Sequence, residues 1–263
     1  MDELVIWELH QGSNPLVAAA IHHGHAVRAE VAQLLAVDEL TRLREEDPLT
    51  GLWTSIADNR LIGLRSRFEV DLNRPRDKAV YLEPVDAWGL QVWREKPSLE
   101  IVQRSLAEYD AFYAEVKQLL SKLERRFGRF VVFDLHSYNH RRQGPHGPVA
   151  DLAQNPEVNL GTGTMDRERW APVVDRFIAD LRAFEFLGRH LDVRENVKFF
   201  GGQFSQWIHE QFPKSGCALA IEFKKFFMDE WTGQPDPARK QVAAIRQALA
   251  STVPGILEEL SKL

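Results

Sequence analysis

The chain of 263 residues is predicted to be an α/β protein, a sandwich of helices around a mostly parallel or mixed sheet. Three observations predict it. Short apolar runs rich in β-formers recur along the sequence. Segments with apolar residues at helical period lie between them. Hydrophobic residues make up 44% of the chain, which can build a substantial core.

The elements follow in order. Leu16 to Ile21 is a run short enough for a buried strand. Val27 to Arg44 carries Val27, Val31, Leu34, Leu35, Leu40 and Leu43 at helical spacing. Leu61 to Leu64 is a second strand. Leu99 to Phe127 places Ile101, Val102, Leu106, Tyr109, Phe112, Tyr113, Val116, Leu119, Leu120 and Leu123 on one side of a long amphipathic helix. Phe130 to Leu135 is a third strand. Gln143 to Gly163, rich in Pro and Gly, is expected to be a long irregular loop, the kind that tends to be functional or mobile. Arg169 to Leu187 is helical. Ala218 to Phe223 is a fourth strand. Ala238 to Leu263 is helical, interrupted at Val253-Pro254-Gly255. No repeat and no linker stands out, so residues 1–263 are expected to form one domain.

Composition excludes several classes. The net charge is −5 and no strongly basic block occurs, which argues against nucleic acid. The single Cys217 rules out an intrachain disulfide framework and suits a reducing compartment; its apolar surroundings predict a buried, inert thiol. Asp2 and Glu3 precede the first apolar segment, which is not how a signal peptide begins. No apolar run approaches the ~20 residues of a membrane helix. A soluble, cytoplasmic protein with no membrane partner is the expectation.

The residues able to do chemistry cluster near strand ends, where ligands bind in open α/β sheets. Phe130 to Arg142 reads FVVFDLHSYNHRR: an apolar strand breaks into polar residues, with His136 placed to reach a pocket and Asp134 placed to orient its imidazole. His22, His23 and His25 flank Gly24 after the first strand, and at most one or two of them can face a given ion. Glu45, Glu46 and Asp47 precede Pro48. They can be a solvated acidic face or a source of a metal-binding carboxylate. Arg67, Asn73 and Arg74 can hold an anion, because the planar fork of Arg matches a carboxylate; the competing reading is a structural network with Glu69 and Asp71. Glu222 ends an apolar run, so desolvation can raise its pKa toward that of a general base, unless Lys224 or Lys225 pairs with it. Gly201-Gly202 permits close backbone approach. Asn159 to Gly163 has the composition of a substrate loop. His140, Arg141 and Arg142 stand at the pocket mouth or in solvent. No Gly-x-Ser-x-Gly elbow of a serine hydrolase is present.

Taken in order, the His-x-Gly element, the acidic loop, Ser66 to Arg74, Asp134 to Ser137, the Gly-Gly pair and Glu222 resemble the N-formylglutamate amidohydrolase (deformylase) family, from about Ala19 to Lys225. That family is related in fold to zinc carboxypeptidases and aspartoacylases. The resemblance implies a three-layer α/β/α sandwich with a mixed, largely parallel central sheet and one catalytic Zn²⁺, for which another divalent transition metal can substitute. It makes His22 and His136 metal ligands. Asp47 is the favoured third ligand, with Glu46 second and His25 in reserve. It gives Asn73 and Arg74 the substrate carboxylate, Arg67 a further substrate or oxyanion contact, and Glu222 the activation of water. The implied reaction converts an N-formyl or N-acyl acidic amino acid, such as N-formylglutamate, to the free amino acid and formate. The rivals are a zinc deacylase or carboxypeptidase on another N-acyl amino acid or short peptide, and a non-catalytic carboxylate-binding relative. A structural zinc is disfavoured, because such sites are usually closed by four Cys or His ligands. Trp88-Gly89-Leu90 and Met228 to Trp231 carry no role in this scheme.

Overall fold

The structure, a computed structural model, describes residues 5–232 and 234–263; Asp2 and Glu3 lie outside the described residues. Its strands are β1 (Trp7–His10), β2 (Leu16–Ala20), β3 (Asn59–Gly63), β4 (Phe130–Tyr138), β5 (Val158–Gly161), β6 (Val193–Glu195) and β7 (Gly216–Lys224). They form one seven-stranded sheet in the order β1-β3-β2-β4-β7-β5-β6. The sheet is mixed and largely parallel: β3, β2, β4 and β7 run together, while β1 and β5 join antiparallel.

Alternation along the strands builds the three layers. Leu16 and Ala18 of β2, Val131, Phe133 and Leu135 of β4, and Cys217, Leu219, Ile221 and Phe223 of β7 face one core. That core is covered by α3 (Thr50–Trp53), α5 (Ala171–Ala183) and α7 (Lys240–Lys262). Val17 and Ala19, Phe130 and Val132, and Ala218 face the other side. There α4 (Leu99–Phe127) and α6 (Gln203–Gln211) cover them. Such strands are buried on both faces, which is why they read as continuous apolar runs. The long helix α4 has Ser98 accepting from the Ile101 N–H at its start and Gly128, at φ +76°, at its end.

Several expectations are corrected. Val27 to Arg44 is two helices, α1 (Ala29–Leu34) and α2 (Glu39–Glu45). Leu35 leaves the helix to bridge Trp93, and Asp38 caps the second helix through the Thr41 N–H at 2.7 Å. Residues 143–163 are not all loop, because β5 lies within them and is fully buried. Helix α7 runs through Pro254 without interruption. The ring removes one backbone donor, but Leu249, Ile256 and Leu260 on both sides remain buried in the core. Strand β4 does not stop at Leu135; it continues to Tyr138, so His136 lies within the strand. Cys217 is fully buried and free, and burial pushes its thiol pKa up. No helix among the described residues is long and apolar enough to cross a membrane.

Candidate active site

The parallel strands deliver their C-terminal ends to one cavity of about 240 Å³. His22 lies just past the end of β2. His136 and Glu222 sit opposite each other near the ends of β4 and β7. Asp47 arrives from the turn after α2, where its own N–H donates to the His22 carbonyl at 2.9 Å. The two imidazole rings are 5.0 Å apart. Asp47 Oδ2 is 3.0 Å from His136 Nδ1 and 3.5 Å from His22 Nδ1. Ser137 holds the other Asp47 oxygen at 3.1 Å. His22, Asp47 and His136 are all buried, and their donor atoms lie within 4.8 Å of one another.

Each imidazole is backed by its own carboxylate. His22 Nε2 donates to Asp71 at 2.6 Å, and His136 Nε2 donates to Asp134 at 2.8 Å. This leaves Nδ1 of both rings turned to Asp47. An outer carboxylate on each ring is the usual support of a metal-ligating histidine, since it fixes tautomer and orientation. Electrostatics follow from this packing. Burial would raise the Asp47 carboxyl, but the hydrogen bonds from His136 and His22 hold it well below the usual range. Burial likewise opposes charge on Asp71 and on His136. Arg67 and His22 nevertheless hold Asp71 well below its ordinary value, and Asp134 holds His136 well above its own. Three buried carboxylates thus converge on two imidazoles. Two nitrogens and an oxygen with a side open to the cavity form a donor set that fits a divalent transition metal.

The rest of the cavity carries the expected anion-holding residues. Arg67 Nε donates to the Tyr81 hydroxyl at 3.1 Å, Nη1 to the Glu45 carbonyl at 3.2 Å and Nη2 to Asp71 at 2.8 Å. Those bonds place Arg67 in a structural network and use three of its five N–H groups, leaving two without a partner among the described residues. Asn73 Oδ1 accepts from the Phe204 N–H at 2.9 Å and so caps the start of α6, while its NH₂ faces the cavity 3.5 Å from His136 Nε2. Gly202 is required there: a Cβ would lie 2.3 Å from Asn73 Oδ1. Arg74 is loosely held, with Nε 3.9 Å from Asp71. Glu222 lines the cavity and pairs with neither neighbouring lysine. Lys224 Nζ donates to the Asn155 carbonyl, and Lys225 Nζ donates to the carbonyls of Arg44 and Glu46. Burial pushes the Glu222 pKa up to about 8, against the pull of His136.

Other candidates go elsewhere. Both Glu46 oxygens are engaged, one by Ser66 and the other by His25 at 2.5 Å, so neither Glu46 nor His25 joins His22 and His136. His23 is half-buried apart from the cavity, and desolvation lowers its pKa. Asn159, expected in a substrate loop, is fully buried in β5 and holds the backbone of Val197, Lys198 and Phe199. The segment Met228 to Trp231 acquires a purpose. Glu230 accepts from the His140 and Arg141 N–H groups, and Trp231 Nε1 donates to the Arg141 carbonyl at 2.8 Å. Together they fix the loop that carries Arg142 into the cavity wall. Sequence reasoning missed Asp71 as the partner of His22 and Lys225 as the anchor of the acidic loop. Their signals, an acid four residues after Arg67 and a lysine three after Glu222, are spacings that solvated surfaces produce as readily as buried networks.

The sequence matches the N-formylglutamate amidohydrolase family over residues 14–228, most of its length. The chain belongs to that family. It is a family of hydrolases acting on an amide. A crystal structure of an N-formylglutamate amidohydrolase from Ralstonia eutropha JMP134 shares the fold, with a TM-score of 0.75 at 19% identity. That likeness covers 98% of this chain and 99% of the other. A gene product of Agrobacterium tumefaciens is similar at a TM-score of 0.61 and 16% identity, covering 95% and 96%. No curated protein matches the chain in sequence. This N-formylglutamate amidohydrolase family member therefore carries the family's fold from end to end of the neighbour, with the buried His–Asp–His group at the mouth of its parallel strands.

Proposed function

We propose that the protein is a metal-dependent amidohydrolase that cleaves the amide of an N-formyl or N-acyl acidic amino acid, with N-formylglutamate as the leading substrate. The observation that carries this is the convergence of His22, Asp47 and His136 with Glu222, Arg67, Asn73 and Arg74 around one cavity. His22, Asp47 and His136 would hold the ion, with zinc the first candidate. When bound, such a cation polarises the amide carbonyl and lowers the pKa of a water toward neutrality.

The chain's own groups do the rest. Glu222 takes the proton of the attacking water on its carboxylate, and a carboxyl poised near neutrality can then release it to the leaving nitrogen. Arg67 turns its two spare N–H groups to the oxygen that gains charge. The NH₂ of Asn73 and the guanidinium of Arg74 hold the substrate carboxylate and so place the amide. Addition of water across the C–N bond gives formate and the free amino acid.

The test is metal analysis of the purified protein together with formate release from N-formylglutamate, beside N-acetyl and N-succinyl analogues. Stoichiometric metal and preferred release of formate are expected. Protein without bound metal that gains nothing from added zinc refutes the reading, and preference for another acyl group moves the substrate to that class.

A further inference from the structure

The proposed chemistry gives no task to the part of the cavity wall that Trp88 forms. Trp88 is 46% exposed, unusual for so large an apolar side chain next to a buried polar cluster. Its backbone is left-handed, at φ +54° and ψ +28°, a conformation that a bulky residue adopts only at a cost. The surroundings impose it. A 3₁₀ turn over Pro84–Ala87 ends at Trp88; Gly89, itself at φ +92°, donates its N–H to the Pro84 carbonyl at 2.7 Å, and Leu90 donates to Ala87 at 2.9 Å. Two successive residues of positive φ turn the chain back and leave the indole standing over the cavity. It rests edge-on against Tyr81, with ring centroids 5.9 Å apart.

What the indole meets there is cationic. The Arg67 guanidinium carbon lies 4.8 Å from its ring centroid and that of Arg74 lies 6.0 Å away. Arg67 has three hydrogen bonds to hold it. Arg74 has none to its guanidinium among the described residues, only the 3.9 Å approach to Asp71. Without the indole, little would restrict a long side chain whose loss of freedom on binding weakens affinity.

We propose that Trp88 is a positioning residue for substrate capture, its indole holding the Arg74 guanidinium in the cavity where it meets the substrate carboxylate. This rests on the amidohydrolase reading for the substrate, and on the geometry alone for the contact. An aromatic face attracts a guanidinium and confines it without occupying its N–H groups, so the fork stays free for an anion. Backbone strain at Trp88 is then the cost of presenting the ring.

Steady-state kinetics on Trp88→Ala, Trp88→Phe, Arg74→Ala and the Trp88→Ala/Arg74→Ala double variant test the proposal. Trp88→Ala should raise KM roughly 5- to 10-fold with kcat within threefold, and Trp88→Phe should restore most of the loss. The double variant should be no worse than Arg74→Ala alone, because the ring acts through Arg74. Additive effects, or a fall in kcat with KM unchanged, overturn it. If the wild type hydrolyses no N-acyl amino acid, the functional reading fails, and binding decides this inference. The Trp88 emission, taken as wild type minus Trp88→Phe, should change on adding glutarate, a bare dicarboxylate. No change at any concentration overturns the proposal.

Discussion

On the wall built from the ends of β2 and β4, His22, His136, Asp47, Asp71 and Asp134 are buried, and each imidazole is gripped between two carboxylates. On the wall built from residues 73–88, Arg74 and Trp88 stand half-exposed, and the Arg74 side chain is held by a ring face and one long approach to Asp71. The difference teaches where precision is needed. Under the proposed function, a cation held by the first wall would tolerate small errors in ligand position poorly, and a second set of groups locks the residues that would hold it. A carboxylate can be met by a fork that swings into place. The first wall should therefore decide whether chemistry occurs, and the second which substrate is held and how tightly.

The largest effect should come from Glu222→Gln, which keeps the side chain's shape and removes the proton acceptor. Turnover is expected to fall roughly 10²- to 10⁴-fold with metal content unchanged. Near-full activity would take Glu222 out of the reaction. Next is a control outside both walls. His209 accepts from the Ala218 N–H at 2.9 Å beneath α6, and burial lowers its pKa to about 4. Between pH 6.5 and 4 the unfolded chain binds a proton that the folded chain refuses. The stability present above pH 6.5 is thus lost as pH falls toward 4, on the order of 3 kcal/mol. Urea midpoints should show this decline in the wild type and a flatter profile in His209→Gln; equal slopes would mean that His209 charges without penalty in the fold. Asp134→Asn should weaken metal affinity roughly 10- to 100-fold, read by competition with a chelator. An unchanged affinity would show that the supporting carboxylate is dispensable and would erase the contrast between the walls. Smallest is Arg74→Ala, for which KM should rise about tenfold with little change in kcat. A matching loss of kcat would move Arg74 to the chemical side.

Much of the fold was legible because its central strands are buried on both faces and its long helix carries a clear stripe. The edges were not. β1, β5 and β6 have three or four residues each, too few to show a period, and their pairing depends on partners remote in sequence. In the site, His22, Asp47, His136, Arg67, Asn73, Arg74 and Glu222 share one cavity while Glu46 and His25 do not, and the residues that support them did not show in the sequence. Asp71 is 49 positions from His22, and a continuous apolar run such as Phe130 to Phe133 gives no hint that the polar residues after it stay in the sheet. Local pattern alone did not separate the adjacent acids Glu46 and Asp47; only the resemblance favoured Asp47. The fold separates them by pairing Glu46 with His25 and Ser66, a choice that only tertiary packing makes.

The nine matched pairs between β4 and β7, from Phe130 with Gly216 to Tyr138 with Lys224, act as a ruler laid across the molecule. They fix the spacing of His136 and Glu222 by main-chain geometry, independent of any side chain in the cavity. One residue inserted ahead of Glu222 in β7 would swing its carboxylate into the opposite helical layer. Loops and rim residues are thus free to drift, while the span between these two groups is inherited with the sheet.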